Sequence, residues 1–195
     1  MLQGIRNIHF IGVGGAGMSA LARILLDEGY AVSGSDKKMS ATAEQLAARG
    51  AKIFEGHDAA NVNGADAVVV STAIPENNVE VAAAKSQGIQ ILHRSDVNAA
   101  LLNAAKGIAV AGAHGKTTTT SMIGLILEHG GVDPTIIIGG QVDYLADGNA
   151  RLGRGEYLVS EADESDGSFL KLMPISRWSR MSRTTTWIIT APWRT

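Results

Sequence analysis

The chain has 195 residues, of which 45% are hydrophobic and 23 are glycine, a composition typical of an α/β protein rather than a disordered one. Its formal net charge of −2 gives no basic field for nucleic acid, and the lack of cysteine excludes disulfides, thiolate metal sites and thiol catalysis. No segment has the pattern of a signal peptide or an apolar run that could span a bilayer, so we expect a cytoplasmic protein without nucleic-acid or membrane partners.

Strand and helix patterns alternate along the first half of the chain. Strands are predicted over 5–13, 30–36, 51–56, 65–74 and 89–95, and helices over 16–28, 40–50, 76–88 and 96–105. This alternation predicts an α/β fold, with a Rossmann-like, doubly wound parallel sheet. A fresh strand–helix unit over 107–131 places a domain boundary near residues 104 to 107.

The first predicted turn, "GVGGAG", is a Gly-x-Gly-x-x-Gly loop formed by Gly12, Gly14 and Gly17. In such loops the first glycine permits a tight turn, the second lets backbone approach a pyrophosphate, and the third allows close packing of helix and strand. Asp36 ends the second predicted strand, where it either binds a ribose hydroxyl or caps the following turn. The loop predicts a bound diphosphate at a helix N-terminus, but its residues do not identify the nucleotide.

A second phosphate-binding loop, "VAGAHGKTT", follows the strand that begins at Gly107. The parts of a P-loop are present as Gly112, Gly115, Lys116 and Thr117. The spacing departs from the general pattern, because Val110 stands at the first glycine position. The backbone N–H groups would surround the phosphates, Lys116 would neutralise the β/γ oxygens, and the Thr117 hydroxyl would coordinate Mg²⁺.

Carboxylates follow the predicted strand "EYLVS" and include Glu161, Asp163, Glu164 and Asp166. Parallel sheets bind ligands beyond the carboxyl ends of their strands, and Mg²⁺ prefers hard oxygen ligands. Glu161 comes first after the apolar residues, so we predict that it holds Mg²⁺ together with Thr117; the alternative is a solvated acidic loop.

The segments that carry these features resemble the Mur ligases, ATP-dependent amide-forming enzymes of bacterial cell-wall synthesis. They are "HFIGVGGAGMSALA", "GSD", "STAIPENN", "HR", "AGAHGKTTTTSMI" and "EADESDGSFLKL", between about Ile5 and Pro174. The shortened P-loop is the form that this family uses. The "EADESDGSF" segment is similar to the members that join L-alanine to UDP-N-acetylmuramate, since ligases for later steps differ there.

The resemblance implies a UDP-sugar-binding domain over 1–105 and the start of a P-loop ATPase α/β domain over 106–174. The implied UDP contacts are Gly12, Gly14, Gly15, Ala16, Gly17, Met18, Ser35, Asp36 and Ser71. The implied ATP contacts are Gly112, Ala113, His114, Gly115, Lys116, Thr117 and Thr118, with Thr117 and Glu161 as metal ligands. Lys116 would act as the catalytic cation on the transferring phosphoryl group.

The reaction implied by the resemblance joins two substrates at the expense of ATP. The lactyl carboxylate of UDP-N-acetylmuramate attacks the γ-phosphate to give an acyl phosphate, from which the amine of L-alanine displaces phosphate. Three alternatives stay open: an NAD-dependent oxidoreductase with NAD on the first loop, a P-loop regulator without ligase chemistry, and a sister ligase that adds a preformed peptide to the same sugar.

The tail, residues 175–195, departs from the family pattern. It holds four arginines, all three tryptophans and no acid, whereas the first 174 residues hold 13 basic and 19 acidic side chains. The family pattern requires an Asn-x-x-x-Asp-His-x-Asp stretch here, whose histidine binds a second metal. Codons for Thr184–Ile188, read one base earlier, permit Asn-Asp-His-Met-Asp, so we hypothesise a reading-frame shift just after Pro174. A chain that ends in this way would lack the amino-acid-binding domain, and we predict no ligase activity for it.

Overall fold

The computed structural model describes residues 2–145 and 148–162, together with the backbone of residues 187–190. The chain divides into two compact units, Met1–Val97 and Asn98–Thr195. This division lies within a helix, several residues before the boundary predicted near 104–107. The boundary between a UDP-sugar-binding and an ATP-binding domain stays a prediction. The predicted acids Asp163, Glu164 and Asp166, and most of the tail, lie outside the described residues.

A parallel sheet of five strands forms the centre of the first unit. The strands are β1 (Asn7–Ile11), β2 (Ala31–Asp36), β3 (Lys52–Glu55), β4 (Ala67–Val70) and β5 (Gln90–His93), in the spatial order β3-β2-β1-β4-β5. All neighbouring pairs are parallel. The connections contain α1 (Ala16–Asp27), α2 (Ala41–Ala48), a short 3₁₀ helix (Ala59–Val62) and α3 (Val79–Ser86), and α4 (Arg94–Ala104) follows β5. The doubly wound sheet predicted from the sequence is confirmed.

The core of the first unit surrounds β1, whose Ile8, Phe10 and Ile11 are almost completely buried. Leu21 and Leu25 of α1 are buried as well, because their spacing places them on one side of the helix. Strand order reverses at β1, since β2 lies on one side of it and β4 on the other. Open α/β sheets bind ligands at such a reversal, and here it is the strand that precedes the first glycine loop.

The second unit has a mixed sheet in the order β10-β6-β9-β7-β8. Its elements are β6 (Lys106–Ala111), α5 (Lys116–His129), β7 (Thr135–Ile137), β8 (Ala150–Arg151), β9 (Tyr157–Glu161) and β10 (Trp187–Thr190). Strands β6, β9 and β7 run parallel, and the edge strands β8 and β10 run antiparallel to their neighbours. Strand β9 lies beside β6 and parallel to it, so Ala162, which follows β9, and the P-loop lie at the same edge of this sheet. Within the described part of the chain, no helix has the length and apolarity needed to cross a membrane.

Candidate nucleotide-binding sites

The first glycine loop connects β1 to α1 and is held by the end of β2. The Ser35 carbonyl oxygen accepts the N–H groups of Gly12 and Val13 at 2.8 and 3.0 Å. The Asp36 carboxylate accepts the N–H of Gly14 at 2.8 Å. Two successive residues of β2 thus fix three successive backbone amides of the loop.

Each signature glycine meets a different constraint. Gly12 has φ +79°, a left-handed conformation that disfavours other residues. A Cβ on Gly14 would lie 2.8 Å from an Asp36 carboxylate oxygen, and one on Gly17 would lie 3.1 Å from the Arg94 guanidinium. The third glycine, Gly17, was expected to allow close packing of helix and strand, but the atom nearest to a Cβ at this position belongs to Arg94. The sequence patterns indicated Arg94 only as part of the "HR" segment.

Asp36 has both carboxylate oxygens engaged with backbone. Oδ2 accepts from Gly14 and Oδ1 accepts the N–H of Lys37 at 2.7 Å. Of the two interpretations left open by the sequence, the observed contacts are those of a residue that braces the loop and its own turn. A contact between Asp36 and a ribose stays a prediction.

The other predicted UDP contacts lie around the same loop. Ser71 follows β4, and Ile74 in the same turn would be 3.0 Å from a Cβ on Gly12. Ser35 and Met18 are buried, with 0% and 4% of their surfaces exposed. Neither residue therefore presents much surface to a nucleotide in this structure, and all the predicted UDP contacts stay predictions.

The N-termini of α1 and α5 differ from those of α2 and α3. The N-cap residues of α1 and α5 are Gly15 and Gly115, without a side-chain capping bond and without an acid in the first turn. In contrast, α2 and α3 are capped by Ser40 and Asn78, and each has a glutamate in its first turn. Uncapped N–H groups and the positive end of the helix dipole attract anions, whereas a side-chain cap and an acid occupy or repel them. The two helices that follow glycine loops therefore lack both the capping side chain and the acid that α2 and α3 have at this end.

The P-loop begins where β6 ends at Ala111. Gly115 has φ +77° and precedes the first residue of α5, Lys116. The Lys116 ammonium lies across the loop and donates to the Gly112 carbonyl at 2.6 Å. Its cation is therefore held over the backbone that would surround a phosphate. Ala113, His114 and Thr118 are exposed, and their contacts with ATP stay predictions.

Glu161, the predicted metal ligand, ends β9 and pairs in register with Val110 of β6. Its Oε1 is buried and, among the described residues, has no hydrogen-bond partner. Its Oε2 would be 2.8 Å from a Cβ on Gly139, while a Cβ on Gly140 would be 3.7 Å from the Thr117 hydroxyl oxygen. The predicted pair of ligands therefore flanks two consecutive glycines.

This arrangement fits Mg²⁺. A buried, unpaired carboxylate oxygen is costly unless a cation or donor satisfies it, and a nearby hydroxyl is a suitable hard ligand. The part of the chain that the structure describes contains no group of three or more His, Asp or Glu side chains placed to hold a metal. A Mg²⁺ ion here would consequently depend on phosphate oxygens and water for the rest of its shell, as is usual for nucleotide-bound Mg²⁺.

Sequence patterns missed two features that position Glu161. The Asn98 side chain donates to the Glu161 carbonyl at 3.0 Å and accepts from the Ser160 hydroxyl at 2.9 Å, which ties α4 to the end of β9. The Gly139–Gly140 turn provides space for the Glu161 carboxylate. The glycine pair was a visible signal, but nothing in the pattern of α4 distinguished Asn98.

The α/β fold thus contains two glycine loops, each at the carboxyl end of a parallel strand and each followed by a helix. The model of the Mur ligase family, catalytic domain, matches residues 7–117, more than half of the chain. The chain belongs to the Mur ligase family, as the resemblance of its motifs predicted.

Individual relatives agree with this assignment. A UDP-N-acetylmuramate–L-alanine ligase of Pelotomaculum thermopropionicum is 57% identical over 170 residues, which cover 87% of this chain and 37% of the relative. The crystal structure of the UDP-N-acetylmuramate–alanine ligase of Thermotoga maritima matches with a TM-score of 0.76 and 36% identity, over 82% of this chain and 37% of that one. The UDP-N-acetylmuramate:L-alanyl-γ-D-glutamyl-meso-diaminopimelate ligase of Neisseria meningitides has the same TM-score and 35% identity, over 84% and 54%. The chain spans little more than a third of the length of the curated relatives that it matches.

Proposed function

We propose that this chain provides the nucleotide-binding part of an ATP-dependent ligase that joins L-alanine to UDP-N-acetylmuramate in peptidoglycan precursor synthesis. The first unit binds the UDP moiety and the second binds ATP with Mg²⁺. Curated relatives at 53 to 57% identity are alanine ligases, which favours L-alanine over a preformed peptide, whereas the solved structures of an alanine ligase and a peptide ligase match about equally at 36% and 35%. Both nucleotides are cytoplasmic metabolites, so the proposal implies a cytoplasmic protein.

The observation that carries the proposal is the pair of helices that follow glycine loops. Among the helices for which the structure describes a cap, only α1 and α5 combine a glycine loop, a glycine N-cap without a side-chain capping bond and a first turn without an acid. A single diphosphate-binding loop is compatible with a dinucleotide. Two separate loops are what we expect of a ligase that binds two phosphate-bearing substrates, ATP and a UDP-sugar.

The chain's own residues divide the work in the second unit. The P-loop amides hold the phosphates, and the Lys116 ammonium moves from the Gly112 carbonyl to the phosphate oxygens. Thr117 and Glu161 are the residues that would hold Mg²⁺, which when bound neutralises charge on the β- and γ-phosphates. In the first unit, the first glycine loop and the N-terminus of α1 receive the diphosphate of UDP.

Calorimetric titration of the 195-residue chain tests these assignments. We expect Lys116→Ala to weaken ATP binding in the presence of Mg²⁺ at least about tenfold, the range of one charge-assisted hydrogen bond, while UDP binding stays unchanged. The matched control is Lys106→Ala, which removes a lysine at the opposite end of β6, where it pairs with the exposed Glu156. Equal ATP affinity of the wild type and the Lys116 variant would overturn the assignment of the P-loop. Binding of NAD in preference to UDP would instead support an oxidoreductase.

We propose further that these 195 residues bind nucleotides without forming the amide, because they correspond to little more than a third of the relatives. Incubation with ATP, UDP-N-acetylmuramate and L-alanine, followed by mass spectrometry, should give no alanyl product, and any detectable product contradicts this point. Resequencing of the DNA around Pro174 tests the proposed frame shift. A chain extended in the shifted frame should then prefer L-alanine to L-alanyl-γ-D-glutamyl-meso-diaminopimelate.

A further inference from the structure

Glu80 is a buried carboxylate of the first unit that lies outside both glycine loops. Glu80 lies in the first turn of α3 and has no exposed surface. Its Oε2 accepts from the Ser35 hydroxyl and lies 2.7 Å from both Ser35 Oγ and His57 Nδ1. Its Oε1 accepts from the Asn61 amide at 2.7 Å and lies 3.5 Å from Nε2 of the buried His9. Four polar side chains thus converge on one carboxylate.

These contacts keep Glu80 ionised. Burial alone raises the pKa of a carboxyl group, but the surrounding donors outweigh it and lower the pKa of Glu80 to about 2. An apolar side chain of similar size would fill this position without the cost of burying a charge. Besides any contribution to stability, the carboxylate fixes the direction in which the Ser35 hydroxyl points.

Ser35 connects this carboxylate to the first glycine loop. Its hydroxyl donates to Glu80, and its carbonyl accepts from Gly12 and Val13. The next residue, Asp36, accepts from Gly14. The end of β2 is therefore held by Glu80 through the Ser35 side chain, and it holds the glycine loop through the Ser35 carbonyl and the Asp36 carboxylate.

We propose that Glu80 is a positioning residue for the diphosphate site: acting through Ser35, it fixes the first glycine loop in the conformation that receives the phosphates of UDP. The inference rests on the proposed function, since it takes UDP as the ligand of this loop. Glu80 does not touch the ligand, and its effect passes entirely through the Ser35 contacts.

The test compares UDP affinity and hydrogen exchange of the loop amides in the wild-type chain and four variants of it. Glu80→Gln keeps the size and removes the charge, and Ser35→Ala removes the other end of the contact. The double variant combines the two changes. Val81→Ala is the structural control, because Val81 is the next residue of α3 and packs in the apolar cluster that contains Ile11, away from the polar contacts. Titration with UDP and hydrogen exchange of the amides of residues 12–14 are measured at a temperature at which circular dichroism shows every form folded.

We expect Glu80→Gln and Ser35→Ala each to weaken UDP binding about tenfold and to speed exchange of the loop amides by a similar factor. The double variant should be no worse than either single one, because both remove the same connection. Val81→Ala should alter neither reading more than about twofold, and ATP affinity should stay constant throughout. If Glu80→Gln does not fold, UDP affinity and amide exchange are compared among the wild type, Ser35→Ala and Val81→Ala.

Different failures have different meanings. If the wild type binds UDP and both variants bind it within twofold, with unchanged loop exchange, the positioning role is refuted and the proposed function stands. If Val81→Ala weakens UDP binding as much as Glu80→Gln, Glu80 only stabilises the unit and the proposal is also refuted. If the wild type does not bind UDP, the proposed ligand fails, and unchanged loop exchange in the variants then refutes positioning independently.

Discussion

Neutralisation of Glu80 should change how the stability of the first unit depends on pH. The pKa of this carboxyl is about 2 in the folded protein, against an ordinary value of 4.5. A group with a lowered folded-state pKa stabilises the protein above its ordinary pKa, and this contribution disappears as the pH falls towards the folded value. The shift corresponds to about 3 kcal/mol of the free energy of unfolding at neutral pH.

The perturbation is Glu80→Gln, which resembles the protonated acid at every pH. The free energy of unfolding of the variant should therefore lie up to about 3 kcal/mol below that of the wild type at pH 6, and the difference should close between about pH 4.5 and pH 2. Urea titrations followed by NMR, with amide signals from β1 and β2, report this unit separately from the second. Other carboxyls with lowered pKa values, such as Asp66 and Asp133, titrate in both proteins and cancel in the difference. A difference that stays constant from pH 6 to pH 2.5 would show that Glu80 contributes through packing and not through charge, and would refute the reasoning.

Two further predictions concern other parts of the structure. Gly155→Ala should lower the free energy of unfolding of the second unit by more than about 2 kcal/mol, because its Cβ would overlap the Val132 carbonyl oxygen. Urea denaturation measures this, and a loss below about 0.5 kcal/mol would contradict the packing. The pKa of Asp66 should lie below the ordinary value of 3.8, because its carboxylate accepts the backbone N–H groups of Asn7 and Arg6. An NMR titration with a midpoint at or above 3.8 would contradict this.

Much of the first unit was predictable because its signals are local. Apolar runs and glycines locate each strand and turn, and the observed elements differ from the predicted ones mainly at their ends: the first strand was predicted over 5–13 and covers Asn7–Ile11. In the second unit, β7 and β8 were not predicted. They contain three and two residues, and strands of that length form through pairing with β9 and with each other rather than through a pattern of their own.

The candidate sites show the same difference between local and tertiary information. The glycines, Lys116 and Thr117 belong to contiguous motifs, so their positions were evident from the sequence. Glu80 was not, because a glutamate in the first turn of a helix is ordinarily a solvated residue that favours the helix dipole. Its burial arises from the way α3 packs on the sheet, which brings it to residues 19 to 71 positions away in sequence. Asn98 was missed for the same reason.

The position of β10 has a consequence for self-association. A sheet edge with unpaired N–H and C=O groups accepts a strand from another molecule. Residues 187–190 pair with β6 from Trp187 opposite Ala111 to Thr190 opposite Ile108, so β6 has a hydrogen-bonded neighbour on each side. A strand from a second molecule could join β6 only after β10 had separated from it. Oligomers that form by pairing with β6, rather than with the outer side of the edge strand β10, should therefore appear at a rate limited by the unimolecular separation of β10. That rate does not increase with protein concentration once separation is slower than encounter.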